Sequence, residues 1–190
     1  MDTKTSMFRR RLLGAAAALP FAGRAFAQDL PLTPACGAQA ALTPRQTEGP
    51  YYTPDTPQRT SLVEPGSKAD RLTLTGRVVS PQCRPVAKAL VDVWHCDENG
   101  AYDNAGFRYR GHLFTDAAGR FRLETIFPAL YPGRARHLHV KVQAPGRRIL
   151  TTQLYFPGDA RDFLWRPELT VAMEQRAQAR VAAFQFIVDA

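Results

Sequence analysis

Two histidines, His137 and His139, lie one residue apart in the run His137-Leu138-His139-Val140-Lys141-Val142. Tyr131 stands six positions before the first, and Tyr102 lies further upstream in Gly100-Ala101-Tyr102-Asp103. Successive side chains of a strand point to opposite faces. The two imidazoles therefore share a face, with their backbones about 7 Å apart, and can bind one ion from adjacent positions. Two tyrosines beside them change which ion that is. A phenol ordinarily ionises near about 10, and only a strongly positive neighbour keeps it ionised at neutral pH. A hard ferric ion suits such a donor set, whereas zinc prefers Cys, His and carboxylate. A His-x-His pair alone is more often structural than metal-binding, and tyrosines are ordinary residues of β proteins, so the surroundings must decide.

The elements that must hold these residues read as short strands. Residues 72–79 alternate in polarity, and 89–96 form a second strand whose Leu90, Val91, Val93 and Trp94 are apolar. Further strands are expected over 120–126, 137–143, 149–156 and 183–189. Turn signals separate them at Asp116-Ala117-Ala118-Gly119, Pro132-Gly133, Pro145-Gly146 and Pro157-Gly158-Asp159. Frequent Gly and Pro punctuation between short strands predicts an all-β fold, a β-sandwich with long loops. The stretch 168–180 can form one short helix. Residues 28–70, rich in Pro, Gly and Thr, read as an extended N-terminal arm lying over a sandwich domain at 71–190.

The first 27 residues read as an address. Phe8-Arg9-Arg10-Arg11-Leu12-Leu13 precedes an alanine-rich apolar run, and Ala25-Phe26-Ala27 supplies a small-x-small cleavage site before Gln28. The arginines before a short, mildly apolar stretch suggest a twin-arginine signal, with an ordinary secretory signal as the alternative. Either predicts a periplasmic or secreted protein. The apolar run is too short to serve as a membrane anchor. Lys4, Arg9, Arg10, Arg11 and Arg24 against Asp2 leave this segment at +4, so half of the formal net charge of +8 goes with it. The remaining basic residues are scattered among acids, which argues against a nucleic-acid partner. Cys36, Cys83 and Cys96 allow at most one intramolecular disulfide and leave one thiol over; which two pair stays open.

Taken together, the motifs resemble those of the intradiol ring-cleavage dioxygenases, the family of protocatechuate 3,4-dioxygenase and catechol 1,2-dioxygenase. The segments that carry the resemblance are Thr47-Glu48-Gly49-Pro50-Tyr51-Tyr52, Pro85 through Trp94 with Gly100-Ala101-Tyr102, and Arg110-Gly111 with Thr115 to Gly119. Tyr131-Pro132-Gly133-Arg134-Ala135-Arg136-His137-Leu138-His139 and Thr152-Gln153-Leu154-Tyr155-Phe156 complete the ordered set. The resemblance implies a non-haem Fe(3+) held by Tyr102, Tyr131, His137 and His139. It implies a catechol-type substrate cleaved with O2 between its two hydroxyl-bearing carbons to a muconate-type diacid, with no nicotinamide or flavin. By the same likeness Tyr131 leaves the metal as substrate binds and does general-base work. Arg134 stabilises negative charge developing on the ring, and Gln153 lies beside the pocket, either touching substrate or serving as a satisfied core polar residue. Arg136, adjacent to His137, is expected to point to the opposite face. His95 and His112 fall outside the family's ligand pattern and read as structural or exposed. Tyr51, Tyr52 and Tyr109 read as packing residues that can line the pocket, and Asp103 as a loop residue near its mouth.

The chain lacks the long helical N-terminal region with which the catechol enzymes dimerise, and a homodimer is left as one option. Only short loops surround the expected site, which suggests an open pocket for substituted or bulky catechols. The rival reading is a non-catalytic transthyretin-like β-sandwich binding module, which shares the strand-and-turn style of 85–94 and 116–121 but needs no Tyr102, Tyr131, His137 and His139 set. A cupin-type oxygenase needs further His or carboxylate ligands, and no Gly-x-Ser-x-Gly supports a serine hydrolase.

Overall fold

The computed structural model describes residues 40–159, 162–176 and 179–190. The segment read as a signal, the first part of the arm and Cys36 lie outside the described residues. The remainder forms eight strands: β1 (Arg71–Val79), β2 (Leu90–Trp94), β3 (Arg110–Phe114), β4 (Arg120–Ile126), β5 (His137–Gln143), β6 (Leu150–Tyr155), β7 (Ala172–Arg176) and β8 (Ala179–Ile187). They make two four-stranded sheets, ordered β4-β1-β8-β7 and β3-β2-β5-β6. All pairings are antiparallel except β1 with β8. No helix among the described residues is long and apolar enough to cross a membrane.

Period-two patterning decides which faces meet. Leu72, Leu74 and Val78 of β1 join Phe121 and Leu123 of β4 and Phe184 and Phe186 of β8. These pack against Val91 and Val93 of β2 and Leu138, Val140 and Val142 of β5 in one continuous core. The fold is thus the expected sandwich, each sheet turning an apolar face inward. One expectation fails. The stretch 168–180 is not a helix: only Pro167–Leu169 makes a single 3-10 turn, and Ala172–Arg176 is a strand paired with β8. Residues such as Ala, Met, Glu and Gln favour helix, but pairing along β8 overrides that weak preference. Strand β3 is a further element that the sequence pattern does not announce, its Arg110-Gly111-His112 giving no apolar alternation.

The outer face of the β3-β2-β5-β6 sheet is polar yet largely buried, because the arm crosses it. Gln46 N–H donates to Thr151 O at 2.9 Å, and Thr152 Oγ1 donates to Pro44 O at 2.7 Å. Lys141 forms an ion pair with Glu48, and Tyr52 Oη donates to Asp92 Oδ2 at 3.2 Å. Further on, Gln58 and Ser61 bridge to His112 and Glu124. Cys83 is disulfide-bonded, while Cys96 is a free, buried thiol pushed up to about 11 by burial.

Candidate metal centre

Strand register builds the site. His139 of β5 sits opposite Trp94 of β2 on one side and Gln153 of β6 on the other. Trp94 in turn pairs with Arg110 of β3. All four side chains therefore fall in one row on the sheet face beneath the arm. His137 follows one step along β5 on the same face, opposite Tyr155. Tyr102 reaches this row from the loop between β2 and β3, and Tyr131 and Arg134 from the loop before β5.

Three nitrogen and oxygen atoms converge. Tyr102 Oη lies 3.2 Å from His137 Nε2, and His137 Nε2 lies 3.1 Å from His139 Nε2. Tyr131 completes the group edge-on, its ring 5.8 Å from that of Tyr102. Its hydroxyl meets Tyr51 Oη at 2.8 Å. Tyr51 comes from the arm and also stacks on Tyr102 at 4.6 Å.

The protons on the imidazoles show what this geometry needs. His137 Nδ1 is 2.7 Å from Ala135 O, which only accepts, so Nδ1 carries the proton and Nε2 presents a bare lone pair. His139 Nδ1 is buried without a hydrogen-bond partner. Its ring is fixed instead by stacking on Trp94, centroids 4.8 Å apart and planes 8° from parallel. Two neutral imidazoles with facing nitrogens at 3.1 Å are relieved by a cation in front of both. Burial holds His137 down to about 4 and His139 well below its ordinary value, so both rings are neutral, as ligands require. The same burial pushes the Tyr102 phenol well above its ordinary value. The hydrogen bond from Tyr51 does the same for Tyr131. Only a strongly charged cation overcomes that preference. The donor set of two phenols and two imidazoles thus fits ferric iron. Among the described residues no group of three or more His, Cys, Asp or Glu offers a softer or carboxylate-rich alternative.

Arg134 stands behind the donors. Its Nε donates to Asp162 Oδ2 at 2.6 Å and its Nη2 to Gln153 Oε1 at 2.6 Å. Gln153 is fully buried; its Nε2 donates to Thr47 O at 2.9 Å, and Tyr155 Oη donates to its Oε1 at 3.0 Å. Gln153 therefore touches Arg134 and the arm. Arg136 turns away, lying over the Phe127 ring at 5.4 Å and 3.9 Å from Asp159.

The remaining candidates are structural. Buried His95 contacts Cys96 O and Thr125 Oγ1, each at 2.7 Å. His112 lies 3.2 Å from Thr56 Oγ1. Tyr52 and Tyr109 hydrogen-bond to Asp92 and Glu98. The Asp103 carboxylate accepts from the backbone N–H groups of Ala105, Gly106 and Arg108. Sequence reasoning missed two residues of the site: Tyr51, assigned to packing, and Asp162, not singled out at all.

A family model described as Dioxygenase matches residues 47–189. The structure resembles the dioxygenase domain of a dioxygenase carbohydrate-binding protein fusion from the cellulolytic bacterium Streptomyces sp. SirexAA-E. The TM-score is 0.76 at 50% sequence identity, over 78% of this chain and 99% of that one. Catechol 1,2-dioxygenase 2 of Acinetobacter lwoffii is 32% identical over 149 residues, 65% of this chain and 54% of that protein. Hydroxyquinol 1,2-dioxygenase of Rhodococcus opacus is 31% identical over 135 residues, 58% of this chain and 45% of that protein. The chain spans about half the length of the curated relatives it matches.

Proposed function

This chain belongs to the intradiol ring-cleavage dioxygenase family, and from that premise we propose that it cleaves a catechol-type ring between its two hydroxyl-bearing carbons. The co-substrate is O2, the centre a non-haem Fe(3+), and the product a muconate-type diacid. The observation that carries the reading is the convergence of Tyr102 Oη, His137 Nε2 and His139 Nε2 within 3.2 Å contacts beside Tyr131. Bound there by Tyr102, Tyr131, His137 and His139, ferric iron supplies a Lewis acid that draws electron density from a chelated catecholate.

The chain's own residues do the rest. Tyr131 Oη, when ionised, accepts a catechol proton, and the Tyr51 hydroxyl at 2.8 Å is placed to hold it. Arg134 offers a fixed positive charge to an anionic ring. Trp94, stacked on His139, and the arm residues Gly49 and Tyr52 keep water from the inner side of the donor set. The relatives' names support catechol and hydroxyquinol as the substrate class to try first. An exported location completes the reading. It is supported by the arginine-led apolar run at the start of the chain and by the disulfide at Cys83, since oxidising compartments preserve such bonds.

The test is the visible spectrum of the iron-loaded protein with and without catechol, together with O2 uptake. A phenolate-to-iron charge-transfer band that shifts on adding catechol is expected, and Tyr102→Phe should weaken it while the fold persists. A colourless protein that takes up no iron would move the assignment to a binding module on the same sandwich.

A further inference from the structure

The ion pair between Arg134 and Asp162 is buried in a way that loop stapling alone does not explain. The Asp162 side chain is 0% exposed and that of Arg134 16%. Removing a carboxylate from water is costly, and apolar residues in place of a buried pair often hold a fold equally well or better. Asp162 is nevertheless fully engaged. Its Oδ2 accepts both Arg134 Nε, at 2.6 Å, and Ala135 N–H, at 3.2 Å, while Oδ1 accepts Leu164 N–H at 2.9 Å. On the other edge of the same guanidinium, Nη2 donates to Gln153 Oε1. A planar guanidinium tied at Nε and Nη2 to two different partners has one orientation left, and Nη1 takes part in neither bond.

We infer that Asp162 is a positioning residue for the ring-cleavage reaction, fixing the Arg134 guanidinium in the single orientation it presents to a bound catechol. This rests on the function proposed above. The carboxylate also bonds the N–H of Ala135, whose carbonyl receives His137 Nδ1–H. One side chain thereby references the arginine and the adjoining ligand histidine to the same point.

A double-mutant cycle on the iron-loaded protein, with catechol as the probe, tests this. Asp162→Asn keeps the shape of the side chain and removes its charge. It should lower kcat by roughly a hundredfold, the effect of a misplaced group, while KM for catechol, iron content and the charge-transfer band stay close to wild type. Arg134→Gln should lower kcat at least as far. The double variant should be no worse than Arg134→Gln, because Asp162 acts only through the arginine, and Asp162→Glu should regain part of the loss. If Asp162→Asn destabilises the fold, the Asp162→Glu variant carries the cycle. Losses that multiply in the double variant, an Asp162→Asn protein with unchanged kcat, or a kcat loss that follows lost iron or a lowered Tm would each overturn the inference. A wild-type protein that binds iron and catechol but cleaves no ring overturns the ring-cleavage reading itself, and the inference with it.

Discussion

Gln153 links three parts of the molecule that are distant in sequence: Arg134 through Oε1, Thr47 O through Nε2, and Tyr155 Oη through Oε1 again. Truncating it strands a buried guanidinium N–H and a backbone carbonyl, each costing about 1–3 kcal/mol when left unpaired. Gln153→Ala is therefore expected to destabilise the protein by roughly 2 kcal/mol, read as a fall in Tm of roughly 4–8 °C. A melting curve that overlays wild type would show that water replaces the amide at no cost. The four donor residues were legible from type and spacing, since two histidines two apart on a strand must share a face. Arg134 and Gln153 became legible only with the family resemblance. Tyr51 and Asp162 were not, because their value lies in contacts with Tyr131 and Arg134, 80 and 28 residues away, which no local pattern encodes.

Strand β1 runs between β4 and β8 and has little room at its centre. A Cβ on Gly76 would lie 2.2 Å from Phe184 O and 2.6 Å from Phe121 Cε1. The carbonyl belongs to the neighbouring strand and cannot rotate away. Gly76→Ala is expected to cost at least the roughly 1–3 kcal/mol of an overpacked core, seen as a lower urea midpoint at unchanged slope. Gly146 makes the contrast. A Cβ there would meet nothing within 4 Å, and the residue carries φ +68°, so Gly146→Ala should cost only about 1 kcal/mol of left-handed strain. Equal losses at the two sites would refute a steric origin for the first. At this scale the sequence was readable wherever a strand buries one apolar face, as in β1, β4 and β5. It misled at 172–176, where alternating half-exposed Ala, Glu and Arg look helical and only the hydrogen bonds of β8 make a strand.

Across the whole molecule the two sheets are joined by their shared core and by a polar pin. His95, just past the end of β2, places Nδ1 2.7 Å from Cys96 O and Nε2 2.7 Å from Thr125 Oγ1 on β4 of the opposite sheet. The carbonyl fixes the proton on Nδ1, so Nε2 accepts from the threonine and the ring is satisfied while neutral. Burial holds it down to about 4 from an ordinary 6.5. The unfolded chain therefore binds a proton near pH 6.5 that the folded protein refuses until about pH 4. Stability from this group is complete above 6.5, falls as the pH drops through that window, and is lost in full below 4. The difference amounts to roughly 3 kcal/mol. The iron-loaded protein is the one to titrate, because His137 and His139 are then held as ligands. Between about pH 6.5 and 5, above the usual carboxylate range, its unfolding free energy should decline on acidification. His95→Gln should flatten that slope whatever its own stability. A slope that survives the substitution would assign the acid sensitivity to another group and leave the pin a neutral contact.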